Sequence, residues 1–168
     1  MAFLLTDGEE APCVRGEAAR NPTTEAGLPA ALNREFESVE EAEAFICHRV
    51  AYPREPAPWR LETVSATRTR PLADIVDGLG FASVSFDYAL PRSDADLRLD
   101  VSPFAFDVAP GEAETVRIAG REARLVRGRE AGTYVLQWRS GGLSFYVLAR
   151  LPQDYPLQDL VRVLETIE

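Results

Sequence analysis

His48 and Cys47 stand side by side, and with Cys13 they are the chain's whole supply of imidazole and thiol. Nucleophilic catalysis or metal binding is the chemistry such residue types perform. Adjacent residues on a helix point about 100° apart, so Cys47 and His48 do not converge on one ligand. No second histidine exists to complete a zinc site. The expected place for His48 is the end of a helix, where it suits the dipole. Every one of the 18 basic residues is arginine, which removes lysine Schiff bases and P-loop lysines from the available chemistry. A serine hydrolase would need the Gly-x-Ser-x-Gly elbow, and Ser140 is followed by Gly141 and Gly142 but preceded by Arg139. Neither a cofactor nor a metal is expected.

Carboxylates are plentiful, so a carboxylate-based hydrolase stays open, although no pair of acids is marked out. Asp94-Ala95-Asp96 has a calcium-like look but lacks the turn glycine and distal glutamate of an EF-hand. It reads as hairpin charge in water. Arg117, Arg121, Arg124, Arg127 and Arg129 crowd one hairpin and read as a solvated edge that discourages edge-to-edge pairing. The net charge of -9 repels phosphate backbones and anionic membrane surfaces, which argues against a nucleic-acid partner.

The elements that must hold these residues follow from periodicity. Residues 1–36 carry scattered Gly and Pro with no sustained period and read as a loosely ordered arm. Ser38 and Glu41 fit a capping box, and Val39, Ala42, Phe45, Ile46 and Val50 recur at helical spacing. Pro53, Pro56 and Pro58 end that helix. From Trp59 on, the period becomes two. Val84, Phe86, Tyr88 and Leu90 share one face of a strand, and Leu97, Leu99 and Val101 form its hairpin partner. Residues 71–79 are expected to form a short helix. Pro103 and Pro110 bracket an irregular or edge segment around Phe104 and Phe106.

Glycine turns at Ala119-Gly120 and Gly141-Gly142 join further hairpins. The strand at 143–150 is apolar on both faces and is expected to be central. Leu157, Leu160, Val161, Leu164 and Ile167 mark a closing helix, with Pro156 at its first position. The fold expected is α+β: a single domain over 37–168, with a curved antiparallel meander of about seven strands and both helices on one face.

Several stretches together resemble the domain of unknown function DUF4367, found in bacterial extracytoplasmic anti-sigma-like and lipoprotein-like chains. They are Glu41-Ala42-Glu43-Ala44-Phe45 with Pro58-Trp59-Arg60-Leu61, the hairpin from Val116 to Ala123, and Leu136-Gln137-Trp138 followed by Leu143 to Leu148. The resemblance covers 38–168 and implies an export-side accessory or sensory module. It brings no catalytic residues. No lipobox cysteine or run of about 20 apolar residues precedes the domain in this sequence. A cytoplasmic chain and a trimmed exported one fit equally well.

For an exported chain, a Cys13–Cys47 disulfide would add about 4 kcal/mol where geometry permits it. The other reading is a buried Cys47 thiol and an incidental Cys13. The function expected is a non-enzymatic binding or regulatory module with a protein or small hydrophobic partner. An alternative is a carrier whose apolar ligand sits in the hollow of the sheet against Trp59, Phe86, Tyr88 and Trp138.

Overall fold

The structure, a computed structural model, describes residues 32–46, 48–68 and 81–168. Cys13, Cys47 and the expected helix at 71–79 lie outside these residues, as does the arm up to residue 31. The elements run β1 (Leu32–Phe36), α1 (Val39–Ile46), β2 (Arg60–Arg68), β3 (Phe81–Ala89), β4 (Asp96–Ser102), β5 (Ala113–Ile118), β6 (Arg121–Arg127), β7 (Thr133–Ser140), β8 (Leu143–Arg150) and α2 (Leu157–Leu164).

All eight strands form one open antiparallel sheet in the order β1-β2-β3-β4-β8-β7-β6-β5. Two expectations are corrected. The stretch 32–36, taken with the arm, is a strand. Asn33, Arg34 and Glu35 give it no apolar alternation, and its extension comes from pairing with β2 from Leu32↔Arg68 to Phe36↔Val64. The sheet is also not one continuous meander. After β4 the chain crosses to the far edge and returns through β5, β6 and β7, so that β8 pairs with β4. Both edge strands carry charge, Arg34 and Glu35 on one and Glu114 and Arg117 on the other, which blunts strand addition.

Alternation assigns the faces. On the inner face Val84, Phe86 and Tyr88 sit opposite Val101, Leu99 and Leu97. Those residues face Phe145, Val147 and Ala149, which in turn oppose Trp138, Leu136 and Tyr134. Ala42, Phe45 and Ile46 of α1 and Leu160 and Leu164 of α2 are buried in the same core. Burying an aliphatic or aromatic side chain contributes about 1.5–3 kcal/mol each.

The helix ends follow local chemistry. Ser38 Oγ accepts from Glu41 N at 3.2 Å, and Glu41 reaches back to Glu37 N. Pro156 stands at the N-cap of α2, one residue before the expected position. Near the C-terminus, Tyr52 and Glu168 exchange backbone hydrogen bonds and Pro53 bridges Ile167. Trp59 Nε1 donates to Tyr155 Oη at 3.0 Å. These contacts tie the proline-rich link to the C-terminal residues.

Tyr88 Oη is buried without a hydrogen-bond partner, and burial raises its ionisation well above the ordinary phenol value. An unmade buried hydrogen bond costs about 1–3 kcal/mol. Tyr88→Phe is therefore expected to leave stability equal or raise it by about 1 kcal/mol. Thermal melts of the two proteins check this; a clear loss of stability would mean the hydroxyl is engaged.

Candidate functional site

Residues 103–112, the crossover from β4 to β5, form a strap across the outer face of the sheet. The register places Ser85, Asp100, Tyr146, Gln137 and Arg124 in one row across β3, β4, β8, β7 and β6 on that face. The strap covers the end of this row. Phe106 packs on Tyr146 with ring centroids 5.6 Å apart. Gln137 binds the strap's backbone from both ends of its amide: Nε2 donates to Asp107 O at 2.6 Å, and Oε1 accepts from Ala109 N at 3.0 Å. Arg124 Nη2 donates to Ala109 O and Gly111 O, both at 3.2 Å. Two side chains therefore satisfy backbone groups that an irregular segment cannot pair by itself.

Beside the strap lies an open cleft of about 200 Å³, lined by Ala105, Phe106, Val108, Arg124, Gln137, Trp138, Arg139, Ser144 and Phe145. Trp138 and Phe145 stack with rings 3° from parallel and 4.9 Å apart. Two polar atoms among these side chains, Arg124 Nε and Ser144 Oγ, are buried without a partner. Phe104 and Val108 of the strap, 60% and 71% exposed, are the only large apolar side chains exposed among the described residues.

The outer face has a second character toward β3 and β4. Ser85 Oγ donates to Asp100 Oδ1, and Arg98 donates to the same oxygen at 3.1 Å and to Ser85 Oγ at 3.2 Å. Arg98 also approaches Asp87 at 3.8 Å. Burial raises the Asp87 carboxyl above the ordinary carboxylate value, the charge of Arg98 opposes that rise, and Asp100 and Asp96 add to it. Asp96 of the calcium-like stretch pairs with Arg150 at 3.3 Å. Arginine thus ties these acids into an ion network. Among the described residues no three of His, Cys, Asp and Glu cluster to hold a metal.

The residues that sequence reasoning proposed for an apolar ligand are placed apart. Trp59, Phe86 and Tyr88 are 2%, 0% and 2% exposed and belong to the core beneath the helices. Only Trp138 borders the cleft. Arg124 also differs from its expected role on a solvated edge, since it is half-buried and holds the strap. Of its arginine neighbours, Arg127 pairs with Glu114 at 3.0 Å. Sequence reasoning marked residues 103–110 as irregular but not as a strap. Pro103, Pro110 and the exposed aromatic pattern were the only available signal.

His48 follows α1, as expected, and its backbone N–H closes on Glu43 O at 3.2 Å. The Glu43 side chain is buried. It accepts from Val50 N at 3.0 Å and from Arg49 at 2.9 Å. Burial lowers the His48 pKa from the ordinary value, and the nearby Glu43 charge opposes this. A base with a lowered folded pKa is protonated first in the unfolded chain, so stability falls as pH drops below about 6.5. Relative to His48→Gln, the wild-type protein is expected to lose stability between pH 7.5 and 5.5. Urea unfolding at several pH values measures the difference; one that does not change with pH would contradict the burial effect.

Among the described residues no helix is long and apolar enough to cross a membrane. Fold and cleft together define an α+β protein with an eight-stranded antiparallel sheet and a strapped outer face. No family model, curated protein or solved structure matches the chain.

Proposed function

We propose that this protein is a non-enzymatic binding module, and that its binding surface is the cleft beside the strap. The observation that carries the reading is the strap itself: it presents Phe104 and Val108 to solvent next to a mostly apolar cleft. Val108 also lines the cleft, and exposed apolar surface that continues into a cleft is a mark of binding sites. The cleft exceeds the roughly 150 Å³ of a cavity that takes benzene but falls short of the roughly 300–1,000 Å³ of drug-sized pockets. It fits one ring or one branched side chain, from a small molecule or from a protein partner. On this reading an apolar ligand sits beside the strap, where Trp138 and Phe145 reach the cleft, and not among Trp59, Phe86 and Tyr88. The accessory or sensory role that the resemblance to DUF4367 implies is kept as part of this proposal.

The test is a screen of single-ring fragments followed by protein NMR. Shifts are expected at the backbone amides of 104–109 and at Gln137 and the Trp138 indole. Gln137→Ala removes the two hydrogen bonds its amide makes to the strap, at a cost of about 1–3 kcal/mol, and leaves those of Arg124. It is expected to speed amide exchange at Ala109 and to weaken every hit. Hits that ignore the strap, or that bind Gln137→Ala equally well, would sink the reading.

A further inference from the structure

We infer that the cleft takes an apolar group ending in a carboxylate. The inference rests on the reading of the cleft as the binding surface and names the chemistry it selects. Ser144 lines the cleft and is only 3% exposed, and its buried Oγ has no hydrogen-bond partner. Arg124 contributes a second such atom: its Nη2 is spent on the strap, while its Nε is buried and unmatched. Native proteins leave few buried polar atoms unpaired, because each forfeits its bonds to water. An arginine Nε–H only donates, and a serine hydroxyl donates readily. Two waiting donors call for an acceptor, and a carboxylate offers two oxygens that accept the stronger, charge-assisted bonds.

Charge points the same way. The chain carries a net charge of -9, yet the cleft is lined by Arg124 and Arg139 and by no Asp or Glu. A neighbouring depression shares Arg124 and Gln137 but adds Glu114 and Glu122. Glu114 is taken up by Arg127, and the acids on that side disfavour a dianion such as a phosphate monoester. The other walls, Ala105, Phe106, Val108, Trp138 and Phe145, are apolar. One ring or a short branched chain fills the space and one carboxylate meets the donors. Such a group occurs as a free small acid and as the C-terminus of a peptide ending in an apolar residue.

Calorimetric titration at low salt with four probes tests this: 3-phenylpropionate, its primary amide, and the peptide Gly-Gly-Phe with a free or an amidated C-terminus. Each acid is expected to bind about tenfold tighter than its amide, as charge-assisted bonds exceed neutral ones. Arg139→Gln leaves the strap's anchors intact, and Ser144→Ala removes one donor. Both are expected to shrink the acid's advantage several-fold, with a smaller loss for the amide, whose oxygen accepts only neutral-strength bonds. Tight binding of the free peptide acid alone, or of phenylpropionate alone, supports the carboxylate chemistry and identifies its source. Equal affinity for acid and amide would overturn the inference while leaving a binding cleft in place. If none of the four probes binds although neutral single-ring fragments still seat by NMR, the inference also fails. If no fragment seats either, the binding reading falls with it.

Discussion

Phe86→Ala is expected to cost about 3–5 kcal/mol, a large share of the roughly 5–15 kcal/mol that holds a domain of this kind folded. Phe86 is 0% exposed and stacks on Tyr52 at 5.4 Å. It lies between Val64 of β2 and Leu99 of β4. Truncation would leave a cavity walled by strands on both sides and by the link after α1, none of which can collapse inward without breaking ladder bonds. Equilibrium denaturation gives the value directly. A loss of about 1 kcal/mol or less would mean that Phe86 borders accessible space, and the idea of a ligand under the helices would return.

Gly132→Ala is the second large effect. Gly132 has φ of 81°, and a Cβ there would run into Leu151 O. The Gly132 carbonyl accepts from Leu151 N at 2.8 Å, so the two backbones have no room to separate without losing that bond. Left-handed strain costs about 1–2 kcal/mol, and the clash and the weakened hydrogen bond add about as much again. The expected total is about 3 kcal/mol. Gly141→Ala is the control: φ is 57°, but nothing lies within 4 Å of its Cβ position, so only the strain of about 1–2 kcal/mol remains. Melting temperatures of the two variants should separate clearly. Equal shifts would show that the approach to Leu151 is not the cause.

The sheet was legible where one strand's own pattern sufficed. Val84, Phe86 and Tyr88 alternate with Ser83, Ser85 and Asp87, and Gly141 and Gly142 both take the positive φ of their turn. The apolar character of both faces of β8 foretold its central place between β4 and β7. What stayed hidden depends on pairing between distant segments. Nothing in Asn33-Arg34-Glu35 signals a strand until β2 offers its edge. No local pattern tells β5 to start at the far edge instead of beside β4.

The candidate site was hidden for the same reason. The strap exists because the crossover must pass over the outer face, and that route is a property of strand order. Arg124 looked like one of five similar arginines, and only Ala109 and Gly111 arriving above it give it a different task. Ser144 alternates with apolar neighbours like any outward-facing strand residue. Its isolation follows from burial at the cleft. Of the four aromatics named for an apolar ligand, Trp138 alone lines the cleft, although its register with Phe145 places it on the inner face of the sheet.

A crystal structure of the protein soaked with 3-phenylpropionate tests the central claim most directly. The expected result is the ring in the cleft against Phe106 and Val108, with its carboxylate on Arg124 and Ser144. A ring lodged among Trp59, Phe86 and Tyr88, or an empty cleft in crystals saturated with the acid, would contradict it.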